Sequence, residues 1–173
     1  MSIPKRHVAP SQITAAHRTF FVTTSIQDKR SLLQSSRSAE LLLSILDSYR
    51  QQGKFRLHEF VIMPDHVHLL LTVGGDVSIE RAVQFIKGGF AYRAGKELGF
   101  QAPVWQKGFS EVRVLDETSY EHYCIYIRNN PVRRRLASTP DDFTFSSAGN
   151  SITLDPRPQG LKPMNILPSL RHG

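Results

Sequence analysis

The chain has 173 residues, of which 40% are hydrophobic, so it is long and apolar enough to bury a single core. Lys and Arg number 22 against 15 Asp and Glu, and the formal net charge of +7 suits a polyanionic partner. The single cysteine excludes an intramolecular disulfide and any zinc site built from several cysteines. No apolar run approaches the ~18 residues that cross a membrane, so the sequence predicts a cytoplasmic protein without a membrane partner.

Hydrophobic periodicity and turn residues divide the chain into alternating strands and helices. They predict strands over residues 19–25, 55–63, 66–73 and 104–115, and helices over residues 38–52 and from residue 79. Pro64 and Asp65 form a turn dipeptide that joins the two middle strands as an antiparallel hairpin. Ser78 is a suitable N-cap for the second helix. This order predicts an α+β fold with a ferredoxin-like antiparallel sheet, β-α-β-β-α-β, and one appended C-terminal helix.

The second strand of the hairpin carries two histidines, His66 and His68. Strand residues two apart project to the same face, so both imidazoles are directed toward one place, where they could hold a divalent metal. The apolar residues between and after them would then line the opposite face of the sheet. Taken alone, the pair also fits two hydrogen-bonded or surface histidines, because His-x-His is a weak motif.

The last helix carries a candidate nucleophile and a candidate ligand, and Pro131 predicts that it ends near residue 130. Tyr126 and Asn130 are one turn apart and share a neighbouring face. The Asn130 amide oxygen could complete a three-ligand site with the two histidines, while the Tyr126 phenol would be placed to attack a substrate. Such ligands, without thiolates, favour Mg²⁺ or Mn²⁺ over structural zinc. Tyr123 is the alternative nucleophile, although helical spacing favours a core position for it.

Three ordered motifs resemble those of the REP-associated tyrosine transposases, which are single-tyrosine members of the HUH nuclease superfamily. The motifs are residues 63–71 (MPDHVHLLL), 105–109 (WQKGF) and 126–132 (YIRNNPV), and the similarity runs from about residue 19 to residue 148. The resemblance implies the ferredoxin-like fold, with His66 and His68 as metal ligands, Tyr126 as the nucleophile and Asn130 in the place of a polar third ligand. Many relatives have an aromatic residue, an Asp and a His after the second motif, whereas this chain has Phe-Ser-Glu at residues 109–111.

The same resemblance implies a function. It predicts a metal-dependent single-stranded DNA endonuclease and strand-transferase that acts on hairpin DNA, in transposition or the mobilisation of REP elements. Tyr126 would form a 5′-phosphotyrosine link and release a 3′-OH, assisted by Mg²⁺ or Mn²⁺. Its partner would be single-stranded or hairpin DNA in the bacterial cytoplasm, and both a monomer and a homodimer fit. The alternatives are a non-catalytic DNA-binding protein or repressor, and an RNA-binding ferredoxin-like module, for which the aromatic RNP pattern is not recognisable.

Several side chains near the motifs are candidates for contacts with DNA. They are Arg128, Arg133, Arg134, Arg135, Lys87 and Trp105. The alternative for the arginines is solvated charge at a helix C-terminus, and the alternative for the tryptophan is a core position rather than stacking on bases. His122 lies one turn before Tyr126 and is either auxiliary to the site or an exposed helix residue.

The predicted organisation is a single domain with two extensions. Residues 1–18 form an N-terminal arm, residues 19–149 the HUH single-tyrosine transposase domain, and residues 150–173 a basic, proline-rich tail. The tail has little means of burying a core, so we predict that it is flexible without DNA. Cys124 is predicted to be a small core residue, with a reactive thiol as the alternative.

Overall fold

A computed structural model describes residues 17–150 and 152–164, so most of the predicted arm and the end of the tail lie outside the described residues. The described strands are β1 (Arg18–Ser25), β2 (Arg56–Ile62), β3 (His66–Val73) and β4 (Ser110–Val114). The described helices are α1 (Ser36–Gln51), α2 (Ile79–Leu98) and α3 (Glu117–Arg133), with short 3₁₀ turns at Gln27–Lys29 and Pro140–Asp142. The order β1-α1-β2-β3-α2-β4-α3 confirms the predicted α+β fold with one appended helix.

The strands form one antiparallel sheet in the spatial order β2-β3-β1-β4. The two inner strands, β1 and β3, pair Thr23 with His68 and Ser25 with His66. Because β3 is hydrogen-bonded to β1 on one side and to β2 on the other, the backbone that carries the histidines is fixed in position. The predicted hairpin of β2 and β3 is confirmed.

Helices cover both faces of the sheet. On one face α1 and α2 pack over the larger apolar cluster, to which β3 contributes Val67, Leu69, Leu71 and Val73. On the other face α3 packs Cys124 and Ile127 against Leu70. Alternation along β3 therefore places the two histidines on the α3 face, as predicted. Burial, with the nearby charge of Glu59, raises the pKa of the Cys124 thiol to about 11, so Cys124 is a core residue and not a reactive thiol.

Side-chain caps define where the helices begin. The Ser78 hydroxyl accepts a hydrogen bond from the Arg81 backbone N–H at 3.1 Å, which confirms the predicted N-cap of α2. The Asp116 carboxylate accepts from the Ser119 backbone N–H at 2.7 Å and caps α3. Among the described helices, none combines the length and the apolar character needed to cross a membrane.

Two boundaries differ from the predictions. Residues 104–109 form a loop rather than the start of β4, because Gly108 has a φ of 77°, which extended backbone cannot accommodate. The helix α3 continues through Pro131 to Arg133 instead of ending near residue 130. Proline removes only its own N–H bond, and the Arg134 N–H still donates to the Asn130 carbonyl at 3.1 Å.

The C-terminal segment differs from the expected flexible tail over residues 152–164. The Leu57 backbone N–H donates to the Asp155 carboxylate at 2.8 Å, and the Asp155 N–H donates to the Leu57 carbonyl at 2.8 Å. Ile152 and Leu154 also pack against the cluster under α1 and α2. The segment needs no core of its own because it pairs with the free edge of β2 and shares the core of the domain.

Candidate active site

The two histidines of β3 lie close together on the face that α3 covers. Their ring centroids are 4.7 Å apart, and each residue is 5% exposed. The His66 Nδ1–H donates to the Asp65 carboxylate at 2.6 Å, and His68 Nδ1 shares a hydrogen bond of 2.8 Å with the Thr23 hydroxyl. Within the described residues neither Nε2 atom takes part in a hydrogen bond. Partners at Nδ1 orient both rings and leave Nε2 available to a ligand.

Burial keeps both imidazoles neutral. It lowers the pKa of His68 to about 3, and the neighbouring His66 and the positive charges of Arg134 and Lys29 act in the same direction. Burial also lowers the pKa of His66, although hydrogen bonding to Asp65 opposes the shift. Because metals bind the neutral form of imidazole, both rings are in the ligand form at neutral pH.

Asn130 is the third candidate ligand. The residue is 3% exposed, and its amide oxygen Oδ1 is a buried acceptor without a hydrogen-bond partner in the described part of the chain. An unpaired buried acceptor costs about 1–3 kcal/mol, which a bound cation would offset. The described residues contain no group of three His, Cys, Asp or Glu side chains that could hold a metal. The candidate donors are therefore two imidazole nitrogens and one amide oxygen, and donors of these types would suit Mg²⁺ or Mn²⁺.

Tyr126 lies against the histidine pair. The Tyr126 and His68 ring centroids are 5.3 Å apart in an edge contact. Phe21 on β1 contacts both rings, at 5.4 Å from His68 and 5.7 Å from Tyr126. The Arg133 guanidinium lies 5.2 Å from the centroid of the Tyr126 ring. The ring of the candidate nucleophile thus contacts both a histidine and a cation.

The alternative residues on α3 occupy different surroundings. The Tyr123 ring stacks on Phe21 with a centroid distance of 4.3 Å and belongs to the partly buried residues around the smaller core cluster. His122 is exposed, and its ring contacts Tyr123 at 5.3 Å. Of the two tyrosines, Tyr126 is therefore the one in ring contact with a histidine of the β3 pair, and His122 takes the position of an exposed helix residue.

Arg128 has an internal partner that the sequence did not reveal. Its guanidinium forms an ion pair with Glu59 on β2, a residue that is only 3% exposed. The Ser147 hydroxyl donates a second hydrogen bond to the same carboxylate. This ion pair is a structural alternative to the predicted contact between Arg128 and DNA.

Lys87 and Trp105 also have hydrogen-bond partners within the domain. The Lys87 ammonium donates to the backbone carbonyls of Gln106 at 2.9 Å and Gly108 at 2.7 Å. Trp105 is 8% exposed, and its indole N–H donates to the Lys87 carbonyl at 3.0 Å while its ring packs against Phe90. Trp105 therefore occupies the core position that the sequence analysis gave as the alternative to stacking on bases.

The remaining arginines lie exposed at the C-terminal end of α3. They are Arg133, Arg134 and Arg135. Arg133 contacts the Tyr126 ring, and the charge of Arg134 contributes to the low pKa of His68. In the described part of the chain none of the three forms an ion pair. Their binding to phosphates stays a prediction.

Sequence reasoning missed one cation and one orienting residue. Lys29 donates to the Ser25 hydroxyl at 3.0 Å, and its positive charge helps to lower the pKa of His68. Thr23 holds the His68 ring, as described above. Neither residue belongs to a motif. The register of β1 against β3 brings Thr23 to the site, and the turn after β1 brings Lys29.

Comparison with known proteins assigns this arrangement to a family. Residues 17–130 match the family model described as "Transposase IS200 like". A Haemophilus influenzae protein that carries the provisional name REP-associated tyrosine transposase is 23% identical over 153 residues, which cover 81% of this chain and 85% of the relative. The chain therefore belongs to the IS200-like transposase family and is an HUH-type tyrosine transposase.

Two solved structures share the fold. A REP-associated tyrosine transposase bound to a REP hairpin matches with a TM-score of 0.65 at 23% identity, covering 85% of this chain and 82% of that one. A protein from Deinococcus radiodurans, provisionally named a transposase, matches with a TM-score of 0.50 at 21% identity, covering 75% and 97% respectively. At these identities the similarity establishes the fold.

Proposed function

We propose that this transposase is a metal-dependent single-stranded DNA endonuclease and strand-transferase with Tyr126 as its nucleophile. The observation that carries the proposal is the contact between the Tyr126 and His68 rings, at 5.3 Å, on a histidine pair whose Nε2 atoms have no hydrogen-bond partner among the described residues. The similar structure that holds a REP hairpin, and the name of the Haemophilus relative, support hairpin DNA of the REP type as the substrate. Transposition or the mobilisation of such elements in the cytoplasm is part of this proposal.

The chemistry follows from the placement of the phenol. The Tyr126 hydroxyl attacks the scissile phosphorus and loses its proton to solvent, while the bond to the leaving 3′ oxygen breaks and that oxygen takes up a proton. One phosphodiester replaces another, because a 5′-phosphotyrosine bond forms as the DNA bond is lost. A second 3′-OH can later attack the phosphotyrosine and rejoin the strands without ATP. Arg133 places positive charge beside the attacking ring throughout.

His66, His68 and Asn130 are the residues that would hold Mg²⁺ or Mn²⁺. When bound, such an ion supplies Lewis acidity that stabilises charge on the phosphoryl oxygens, and neutral ligands leave that acidity undiminished. Asp65 and Thr23 fix the two rings through their Nδ1 atoms, so that Nε2 is the ligand atom. The unpaired Asn130 oxygen is the observation that supports its place in the set.

The two alternatives account for fewer of these features. A non-catalytic DNA-binding protein requires a basic surface, but it does not require a tyrosine packed on a neutral histidine pair. An RNA-binding module of this fold uses an open sheet face on which bases stack. Here helices pack on both faces of the sheet, and among the described strands only β4, at the edge, is mostly exposed.

The test is covalent capture of DNA. Labelled single-stranded hairpins from the DNA flanking the gene are incubated with the protein and Mg²⁺ or Mn²⁺, and the products are separated by denaturing electrophoresis. A slow-migrating adduct is expected for the unmodified protein and for Tyr123→Phe, and its loss is expected for Tyr126→Phe with hairpin affinity retained. An adduct that persists in Tyr126→Phe and disappears in Tyr123→Phe would transfer the nucleophile to Tyr123.

A further inference from the structure

A strained turn follows β1 and leads away from the histidine pair. Asp28 and Lys29 have φ values of 58° and 54°, in the left-handed region that residues with a side chain rarely adopt. Strain of this kind persists only where surrounding contacts hold it, and it is concentrated at functional sites. The side chains of this turn are therefore candidates for a role in the reaction.

Hydrogen bonds fix the turn relative to the histidines. The Ile26 N–H, at its start, donates to the Asp65 carbonyl at 2.8 Å, and Asp65 directly precedes His66. The Arg30 guanidinium, at its end, donates to the Pro103 carbonyl at 2.6 Å. Because the turn is held at both ends, its position beside the strand that carries the histidines is set before DNA binds.

The Lys29 ammonium lies at one end of the histidine pair. It donates to the Ser25 hydroxyl at 3.0 Å, and Ser25 pairs with His66 in the register of β1 against β3. Thr23, two residues earlier on β1, bonds the His68 ring, so the Ser25 side chain projects to the same face as the site. Within the described residues Lys29 forms no ion pair, and one hydroxyl uses only one of its three ammonium donors.

Tyr126 lies at the other end of the pair. Its ring contacts His68 and Phe21, and Phe21 lies on β1 about 13 Å from Ser25 at the usual rise of a strand. The phenol and the Lys29 ammonium therefore approach the histidine pair from opposite ends. In phosphoryl transfer the entering and leaving oxygens lie roughly in line, on opposite sides of phosphorus. A phosphate at the pair that Tyr126 attacks has its leaving oxygen on the side of Lys29.

We propose that Lys29 is a further catalytic residue, the proton donor to the leaving 3′ oxygen, an inference that rests on the proposed function. As the bond from the Tyr126 oxygen to phosphorus forms, the bond from phosphorus to the 3′ oxygen breaks. The ammonium gives one proton to that oxygen and becomes a neutral amine. In the reverse direction, the amine accepts the proton of the 3′-OH that attacks the phosphotyrosine. One residue thus serves both cleavage and rejoining.

The test exchanges the leaving atom. Labelled hairpins carry either the natural oxygen or a sulfur in the bridging 3′ position of the scissile bond, which is mapped first with the unmodified protein. Thiols ionise near about pH 8.5, whereas an alcohol, like water, ionises only near about pH 15.7, so a sulfur leaving group needs no proton donor. The rate of adduct formation is measured under single-turnover conditions with Mn²⁺, and each variant is compared with the unmodified protein on the same DNA.

Two variants and one matched control are compared. Lys29→Met keeps the length of this exposed side chain and removes its ammonium, and Ser25→Ala removes the hydroxyl that holds the ammonium. The control is Lys96→Met, which removes an exposed lysine of α2 that contacts Tyr92 and lies outside the site.

On the oxygen DNA, Lys29→Met is expected to form the adduct about 100-fold more slowly and Ser25→Ala about fivefold more slowly. On the sulfur DNA both should stay within about threefold of the unmodified protein, because proton transfer to the leaving atom no longer limits the rate. Lys96→Met should match the unmodified protein on both. Equal slowing of Lys29→Met on the two DNAs, or its full rate on the oxygen DNA, would overturn the donor role. Failure of the unmodified protein to form an adduct with either DNA would overturn the proposed function itself, and the donor role with it.

Discussion

Replacing Arg128 by alanine is predicted to destabilise the fold in addition to any effect on DNA. The side chain links α3 to Glu59 on β2. It lies between Tyr126 and Asn130 along α3, so this ion pair ties the part of the helix that carries both site residues to the sheet. The Ser147 hydroxyl, from the chain after α3, donates to the same carboxylate.

The expected loss of unfolding free energy in Arg128→Ala follows from the burial of the two partners, Arg128 and Glu59. Removing one member of a buried ion pair costs about 3–5 kcal/mol, because the other charge stays buried without compensation. Glu59 is buried, but the Arg128 side chain is 51% exposed, and the Ser147 hydroxyl still donates to Glu59 in the variant. We therefore expect the free energy of unfolding to fall by about 2–3 kcal/mol. In a chain of this size 1 kcal/mol shifts Tm by about 2–4 °C, so Tm should fall by about 4–12 °C.

Thermal and urea denaturation of Arg128→Ala measure this loss. The matched control is Arg134→Ala, from the same arginine cluster but exposed and without an ion pair among the described residues, and it should stay within about 0.5 kcal/mol. Glu59→Gln should recover part of the lost stability in the Arg128→Ala background, because it removes the buried charge that is left without compensation. An unchanged Tm for Arg128→Ala, with loss of hairpin affinity alone, would refute this reasoning and return Arg128 to the DNA surface.

Three other outcomes follow from the site and its surroundings. Thr23→Val should lower Mn²⁺ affinity about tenfold in calorimetry, because it removes the hydrogen-bond partner of His68, and unchanged affinity would contradict the ligand role of that ring. Burial lowers the pKa of His58, so the unfolded chain binds a proton more readily below about pH 6.5 and the unfolding free energy falls toward pH 5. Urea denaturation at pH 7.5 and pH 5 should show a smaller fall in the unfolding free energy for His58→Gln than for the unmodified protein. A triple-alanine variant of residues 133–135 should lose affinity for cognate and scrambled hairpins alike, with a salt slope reduced by about 0.7 for each lost contact, whereas a selective loss on cognate DNA would make these arginines sequence readers.

The sequence alone determined the features that depend on short-range spacing. Alternation along a strand places His66 and His68 on one face, and helical spacing places Tyr126 and Asn130 one turn apart, whatever the rest of the chain does. The order of strands and helices follows from the same local periodicities. These features were predictable because side-chain direction repeats every two residues in a strand and every 3.6 in a helix.

The partners of these residues were decided by the tertiary structure. Arg128 and Glu59 are 69 residues apart, and Thr23 and His68 are 45 apart, so only the register of the sheet and the packing of α3 bring them together. The same holds for Lys87, whose partners are carbonyls of a distant loop, and for Trp105, whose burial depends on α2. A charged or aromatic side chain has the same local signature whether it faces solvent, DNA or an internal partner. Which of these it meets depends on long-range packing and desolvation, and local sequence patterns do not encode either one.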